Sequence, residues 1–188
     1  MGIDKFIEGF VENPRKTKIL KKYQRLSKAI ESPVKFITIP NKTNSMIKFK
    51  VLKDIAIADV AFEAEGKDLN ELFESAAIAT EEIMVNTKTL KKTAKREINI
   101  ENEKLEDLLY DFLSELIFIK DTERIAFASV KIDISEKNKK YMLKAVLKGE
   151  ELNQQKHECR ADVKAITMHM FKIEQKKDKW TCLVVVDI

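Results

Sequence analysis

Hydrophobic positions recur along this chain with two different periods, and the change of period divides it. Ile3, Phe6, Ile7 and Phe10 fall at i, i+3, i+4 and i+7, which predicts a short helix ending before Asn13-Pro14. Ile19, Tyr23, Leu26 and Ile30 form the stripe of a second helix, and Lys18, Lys21, Lys22, Arg25 and Lys28 occupy much of its remaining surface. Ser32-Pro33 stops that helix, because proline disfavours helical geometry in the residue before it. Val34 to Ile39 reads as a strand, and the polar, turn-like stretch from Pro40 to Ser45 marks a domain boundary.

From Met46 the apolar period shortens to two. Ile47, Phe49 and Val51 alternate with lysines; Val60, Phe62 and Ala64 alternate with Ala61, Glu63 and Glu65. These are a strand and its hairpin partner. Gly66-Lys67 ends the second of them. Asp68 and Glu71 carry the signature of a capping box. It opens a helix with Leu69, Leu72, Phe73, Ala76, Thr80 and Ile83 on its inner face, fading at Val85-Asn86. Lys95 to Ile100 is a further strand. Asn102 is placed to cap a second helix, with Glu103, Glu106 and Asp107 at the positive end of its dipole. Leu105, Leu108, Leu109, Phe112 and Leu116 give that helix its apolar face. Strands follow near 125–134 and 141–148, joined through Glu136-Lys137-Asn138-Lys139. Val163 to Ile173 and Trp180 to Asp187 make the last hairpin, turning at Lys176-Lys177-Asp178. The final strand is apolar on both parities, which predicts burial on both faces. Two helices among about seven hairpin-connected strands make an α+β domain with a largely antiparallel sheet over residues 46–188. A helical extension over residues 1–45 precedes it.

Composition agrees with one domain and an appended arm. The 188 residues are 44% hydrophobic, too apolar for wholesale disorder, and 4 Gly with 3 Pro leave little room for flexible linkers. The formal charge of +4 is unevenly spread: residues 1–45 hold ten Lys or Arg against four Asp or Glu, leaving the remainder slightly acidic. A basic arm on a near-neutral body motivates an RNA-binding reading through Lys18, Lys21, Lys22, Arg25 and Lys28, beside the plainer one of a solvated amphipathic helix. No apolar run approaches the roughly 18 residues of a membrane span. The N-terminus lacks a signal-peptide core, and Asp4, Glu8 and Glu12 argue against a transit peptide, so a cytoplasmic protein is expected. Cys159 and Cys182 have no metal or redox spacing and read as reduced thiols.

The common catalytic signatures are absent: no phosphate-cradling G-x-x-x-x-G-K-[ST] loop, no G-x-G-x-x-G and no G-x-S-x-G elbow. His157 and His169 read as surface loop residues, and no catalytic residue is assigned. The chain end is the exception. A buried strand running through Val184-Val185-Val186-Asp187-Ile188 fixes the α-carboxylate beside the Asp187 side chain. Two such groups held close must be protonated, paired with a cationic side chain, or neutralised by a hard cation such as calcium or magnesium.

Four stretches, in order and with matching spacing, resemble the archease family. They are Ala58-Asp59-Val60 followed by Glu65-Gly66-Lys67-Asp68-Leu69-Asn70-Glu71-Leu72-Phe73-Glu74; Leu105-Glu106-Asp107-Leu108-Leu109-Tyr110 with Leu113-Ser114-Glu115-Leu116; Gly149-Glu150, His157-Glu158 and Val163-Lys164-Ala165-Ile166-Thr167-Met168-His169; and the terminal Asp187-Ile188. Where the family has His-Thr before Ala-Asp, this chain has Ala56-Ile57, and Ile55 stands where an acidic residue is usual. Asp54 lies one position earlier, with its side chain expected on the other face.

The resemblance implies a non-enzymatic helper of the RtcB-type RNA ligase that joins tRNA halves. That ligase takes GMP from GTP onto a histidine using manganese, and archeases promote this guanylylation and repeated turnover. It also implies a divalent cation, with calcium expected, held by Asp59, Asp187 and the Ile188 carboxylate. Lys164 matches the lysine of the family's Val-Lys-Ala motif, and the resemblance implies a role in pairing with the acidic cluster or reaching the partner.

Overall fold

The computed structural model describes residues 36–40, 46–56 and 59–188, with backbone alone at residue 40 and residues 53–56. The helices expected over residues 3–10 and 19–30, and with them Lys18, Lys21, Lys22, Arg25 and Lys28, lie outside the described residues.

Eight strands and two helices follow in the order β1 (Ile37–Pro40), β2 (Met46–Ala56), β3 (Asp59–Gly66), α1 (Leu69–Met84), β4 (Ala94–Asn102), α2 (Leu105–Glu123), β5 (Ile125–Lys137), β6 (Lys140–Glu151), β7 (Ala165–Lys176) and β8 (Lys179–Asp187), with a 3₁₀ turn at Thr87–Thr89. The strands form two sheets, ordered β1-β2-β3-β8-β7 and β4-β6-β5. Every pairing within them is antiparallel. β1, the short strand before the polar stretch at 41–45, joins the larger sheet by pairing Ile39 with Ile47.

The helices lie between the sheets. α1 meets β2 and β3 of one and β5 of the other, and α2 meets β7 and β4. This explains why α1 is buried nearly all round, Glu71, Glu74 and Glu81 included, rather than on one stripe. Some of its polar residues serve the backbone. The Glu74 carboxylate accepts from the Ile132 N–H at 3.2 Å and the Asn70 side-chain oxygen from the Ile134 N–H at 2.9 Å. β5 is an edge strand, and these contacts cover donors that an edge would leave open. The main core joins Phe49, Phe62, Phe73, Phe112, Phe127 and Val184 with their neighbours.

Local chemistry sets the element ends. Asp68 caps α1 by accepting from the Glu71 N–H at 2.9 Å, while Glu71 reaches back to the Lys67 N–H at 3.0 Å, one residue before the reciprocal partner of a standard capping box. A Cβ at Gly66 would stand 2.2 Å from the Leu72 nitrogen, so the strand-to-helix turn requires glycine. Asn102 does not cap α2 as expected. It closes β4, holding the Glu103 N–H and the Asp111 carboxylate, and the helix starts at Leu105 with Lys104 as an N-cap lacking a side-chain bond. The helix runs beyond Leu116 to Glu123 and ends on Arg124 at φ 57°. At the β5–β6 hairpin, Lys137 pairs with Lys140 and the two intervening residues take φ 54° and 62°, the twist that two-residue hairpins favour. Among the described residues no helix is long and apolar enough to cross a membrane.

Candidate functional site: an acidic pair at the chain end

Long-range pairing of β3 with β8 builds the site. The register matches Ala64 with Cys182, Phe62 with Val184, Val60 with Val186, and finally Asp59 with Asp187. Even-numbered residues of these strands turn to the helices and fill the core. The odd-numbered residues Asp59, Ala61, Asp187 and Val185 therefore share the opposite face. Directly opposed residues on one face have Cβ atoms roughly 5 Å apart, and like charges so placed repel. Both aspartates are half-buried, which weakens solvent screening of that repulsion.

The terminus is held rather than frayed. Ile188 packs its side chain against the main core, and the Asp187 carbonyl accepts from the Lys164 N–H at 2.9 Å. Ala165 flanks Asp187 from β7. Lys164 itself sits just before β7 with an exposed side chain, and its charge contributes to keeping the Asp162 carboxyl below the usual range, after the larger effect of Lys120. Asp59, Asp187, Ile188 and Lys164 thus gather at one end of the larger sheet, whereas the basic residues of the extension lie outside the described residues.

Among the described residues no three His, Cys, Asp or Glu side chains converge on a metal position. A cation here would draw on two side chains, Asp59 and Asp187, and take further oxygen from the Ile188 α-carboxylate. All of these are carboxylate donors, and that donor set suits a hard divalent cation.

Further along the same face, charges are paired. Lys50 bridges Glu63 at 3.1 Å, and Glu65 receives Lys48 at 2.6 Å and Lys179 at 2.5 Å. Burial pushes the Glu65 carboxyl up, and the Lys179 and Lys48 ammoniums outweigh it, so its pKa lies below the ordinary value.

The histidines are not surface loop residues. His157 is buried at 4% exposure; its Nε2 lies 3.0 Å from the Glu150 carboxylate and its Nδ1 accepts from the Asn153 N–H at 3.1 Å. Through these two contacts the ring staples the loop after β6. Glu150 also takes the Lys156 ammonium and the Lys91 N–H, and these bring its pKa down to about 2. His169 is half-buried within β7, where three extra residues between Thr167 and Lys172 form a bulge with Met170 at φ 56°. The sequence motifs Gly149-Glu150 and His157-Glu158 mark the two halves of the staple, but nothing local shows that they meet.

Both thiols are free: Cys159 exposed, and Cys182 buried, which pushes it up to about 12.

Comparison with known proteins gives one consistent answer. A model of the Archease protein family matches residues 49–188. A protein archease from Pyrococcus abyssi is 42% identical over 132 residues, covering 70% of this chain and 93% of the relative. One from Methanothermobacter thermautotrophicus is 40% identical over 131 residues, with 70% and 93% covered. The solution structure of protein 1598 of Methanobacterium thermoautotrophicum superposes with a TM-score of 0.67 at 38% identity, spanning 74% of this chain and 98% of that one. A crystal structure of a Thermotoga maritima archease, described as a possible chaperone, shares the fold at a TM-score of 0.50 and 23% identity, spanning 71% and 93%.

Proposed function

The chain belongs to the archease family, and from that premise we propose that it is an accessory factor of an RtcB-type RNA ligase rather than an enzyme in its own right. The ligase is the partner, and contact with tRNA is indirect. GTP and manganese belong to the ligase. The contribution of this chain is the acidic end of its larger sheet, where Asp59 and Asp187 face each other beside the chain terminus. That juxtaposition carries the reading, because carboxylates opposed on one sheet face, beside a third at the chain end, offer the oxygen donors a hard cation needs. A calcium ion or similar cation bound by Asp59, Asp187 and the Ile188 carboxylate would neutralise the pair and stiffen the end of β8.

Docked at the mouth of the ligase active site, the rigid carboxylate cluster orders the guanylylation pocket and favours transfer of GMP to the ligase histidine. Lys164, exposed beside Asp187, supplies a positive contact to the partner surface. The test is transfer of labelled GMP from GTP to the cognate ligase, with this protein or its Asp59→Ala variant added. The reading expects faster labelling with the native chain and none of that gain with the variant, whose fold is unchanged by circular dichroism. Equal stimulation by both proteins would remove the acidic pair from the function.

A further inference from the structure

The smaller sheet has two edges, and only one of them is covered. On β5, Ile132 and Ile134 turn their N–H groups away from β6, and the α1 side chains Glu74 and Asn70 accept them. That sets the direction of the backbone groups across the sheet. Ala145 and Leu143, the β6 partners of Ile132 and Ile134, turn their own groups away from β5 and toward β4, where they meet Ile98 and Ile100. Residues alternate along a strand, so Lys95, Glu97, Asn99 and Glu101 aim their N–H and C=O groups outward. Among the described residues no other element bonds to the backbone of that outer edge, and the Lys95 carbonyl takes only the side chain of adjacent Arg96, at 2.7 Å. The side chains of these four outward residues are exposed as well.

We propose that β4 is the interface between two copies of this chain, paired antiparallel about a two-fold axis at Ile98. The axis sets Lys95 opposite Glu101 of the partner subunit and Glu97 opposite the partner's Asn99, and it repeats both pairs on its other side, as an isologous contact must. All of these residues aim their backbone groups outward. Each pair therefore exchanges two N–H···O=C bonds, and the three-stranded sheet becomes continuous through both copies. Charges on an edge strand ordinarily discourage pairing. Here they select one register. An axis at residue 97 would set Glu97 against its own copy, and an axis at residue 99 would set Glu97 against Glu101. The axis at Ile98 opposes Lys95 to Glu101 and sets no like charges against each other.

The helix alongside the strand agrees with that axis. α2 is tied to β4 by the Arg96–Glu123 ion pair near one end and by the Asn102 amide, which donates to Asp111 at 2.9 Å, at the other. Phe118 lies seven residues after Asp111, on the same stripe of the helix and about midway between the two ties. It is therefore level with Ile98 and Asn99, where the axis passes. At 59% exposure it is the most exposed large apolar side chain among the described residues. An apolar residue beside a two-fold axis meets its own copy, and that contact buries a ring which the single chain leaves in water. The charge pattern of β4 and the place of Phe118 thus select a second copy over an unrelated strand. The interface lies on the smaller sheet and the acidic pair on the larger, so the inference is independent of the ligase reading.

Sedimentation equilibrium of the full-length chain over a wide range of concentration tests this. The mass should rise from 21.7 kDa toward twice that value. Asn99→Pro removes an outward N–H that β6 does not use, and Phe118→Glu places a charge beside the axis. Each should weaken association roughly tenfold or more, with an unchanged circular dichroism spectrum. Lys95→Glu should weaken it too, and adding Glu101→Lys should restore it, since the pair opposed across the axis is then reversed. A single species of 21.7 kDa at every concentration would overturn the inference. So would a dimer that persists in both Asn99→Pro and Phe118→Glu, which places the contact elsewhere. A charge-reversed double variant that associates as weakly as Lys95→Glu alone would exclude this register and overturn it as well.

Discussion

Asp59 and Asp187 oppose each other directly across the β3–β8 ladder, although 128 positions separate them in the chain. Repulsion between them is relieved by removing one charge or by adding a cation. Asp59→Asn removes one of the two opposed charges. The native chain should gain thermal stability from millimolar calcium, and the variant should lose most of that gain. Melting curves with and without calcium check both statements.

Glu81 predicts an unusual dependence on alkaline pH. It is fully buried in α1, neither carboxylate oxygen has a hydrogen-bond partner, and burial pushes it up to about 8. The Phe127 backbone N–H and the Lys120 charge pull the other way without closing to hydrogen-bond geometry. The folded state holds this proton while the unfolded chain, with an ordinary carboxyl near 4.5, has lost it. Stability therefore falls as pH rises from about 4.5 to about 8, by roughly 3–5 kcal/mol in total. Glu81→Gln should flatten that slope and leave the protein more stable at pH 8. Denaturant titrations at pH 5 and pH 8 measure it.

Glu150 works in the opposite direction. Its carboxyl is held down to about 2 by Lys156, the Lys91 N–H and His157. The unfolded chain binds that proton first as pH falls, so the stability it contributes is present above about 4.5 and disappears as pH drops toward about 2. Glu150→Gln should weaken the acid dependence in that window. His157→Ala, which leaves a void and an unpaired Asn153 N–H, should cost about 2 kcal/mol at neutral pH.

Gly149 admits no side chain. A Cβ there would stand 1.8 Å from the Ala126 carbonyl oxygen, near the end of the β5–β6 ladder where the register shifts between Phe127 and Ser129. Gly149→Ala should destabilise by roughly 3 kcal/mol or more, since backbone rather than a movable side chain must give way. Chemical denaturation at neutral pH checks it.

Local physics made much of this fold readable from the sequence. The period of two places the strands, the polar stretch at 136–139 places a hairpin whose turn narrows to Asn138 and Lys139, and apolar residues on both parities of β8 mark a strand buried on both faces, which Val184, Val185 and Val186 confirm. What was not readable depends on partners distant in sequence. The division into two sheets follows from the β3–β8 pairing, which no local pattern announces. The 3.6-residue period gives α1 one inner face, because the second sheet behind it leaves no local mark in the sequence. The burial of His157 has no local signal, because its partners, Glu150 and the Asn153 N–H, are brought to it only by the loop's closure. Asp59 and Asp187 were paired through family resemblance and an argument about the ordered terminus. Their register opposition on one sheet face is what the structure adds.

RNA ligation with the cognate ligase held well below substrate concentration, with the native chain, with Asp59→Ala, or with neither, decides whether the acidic pair serves a ligase. About one turnover is expected from the ligase alone, many with the native chain, and a return to about one with the variant. Product that is unchanged by a folded native chain would contradict the role of the acidic pair in ligase activation, and would leave direct, salt-sensitive RNA binding by the basic extension as the function to pursue.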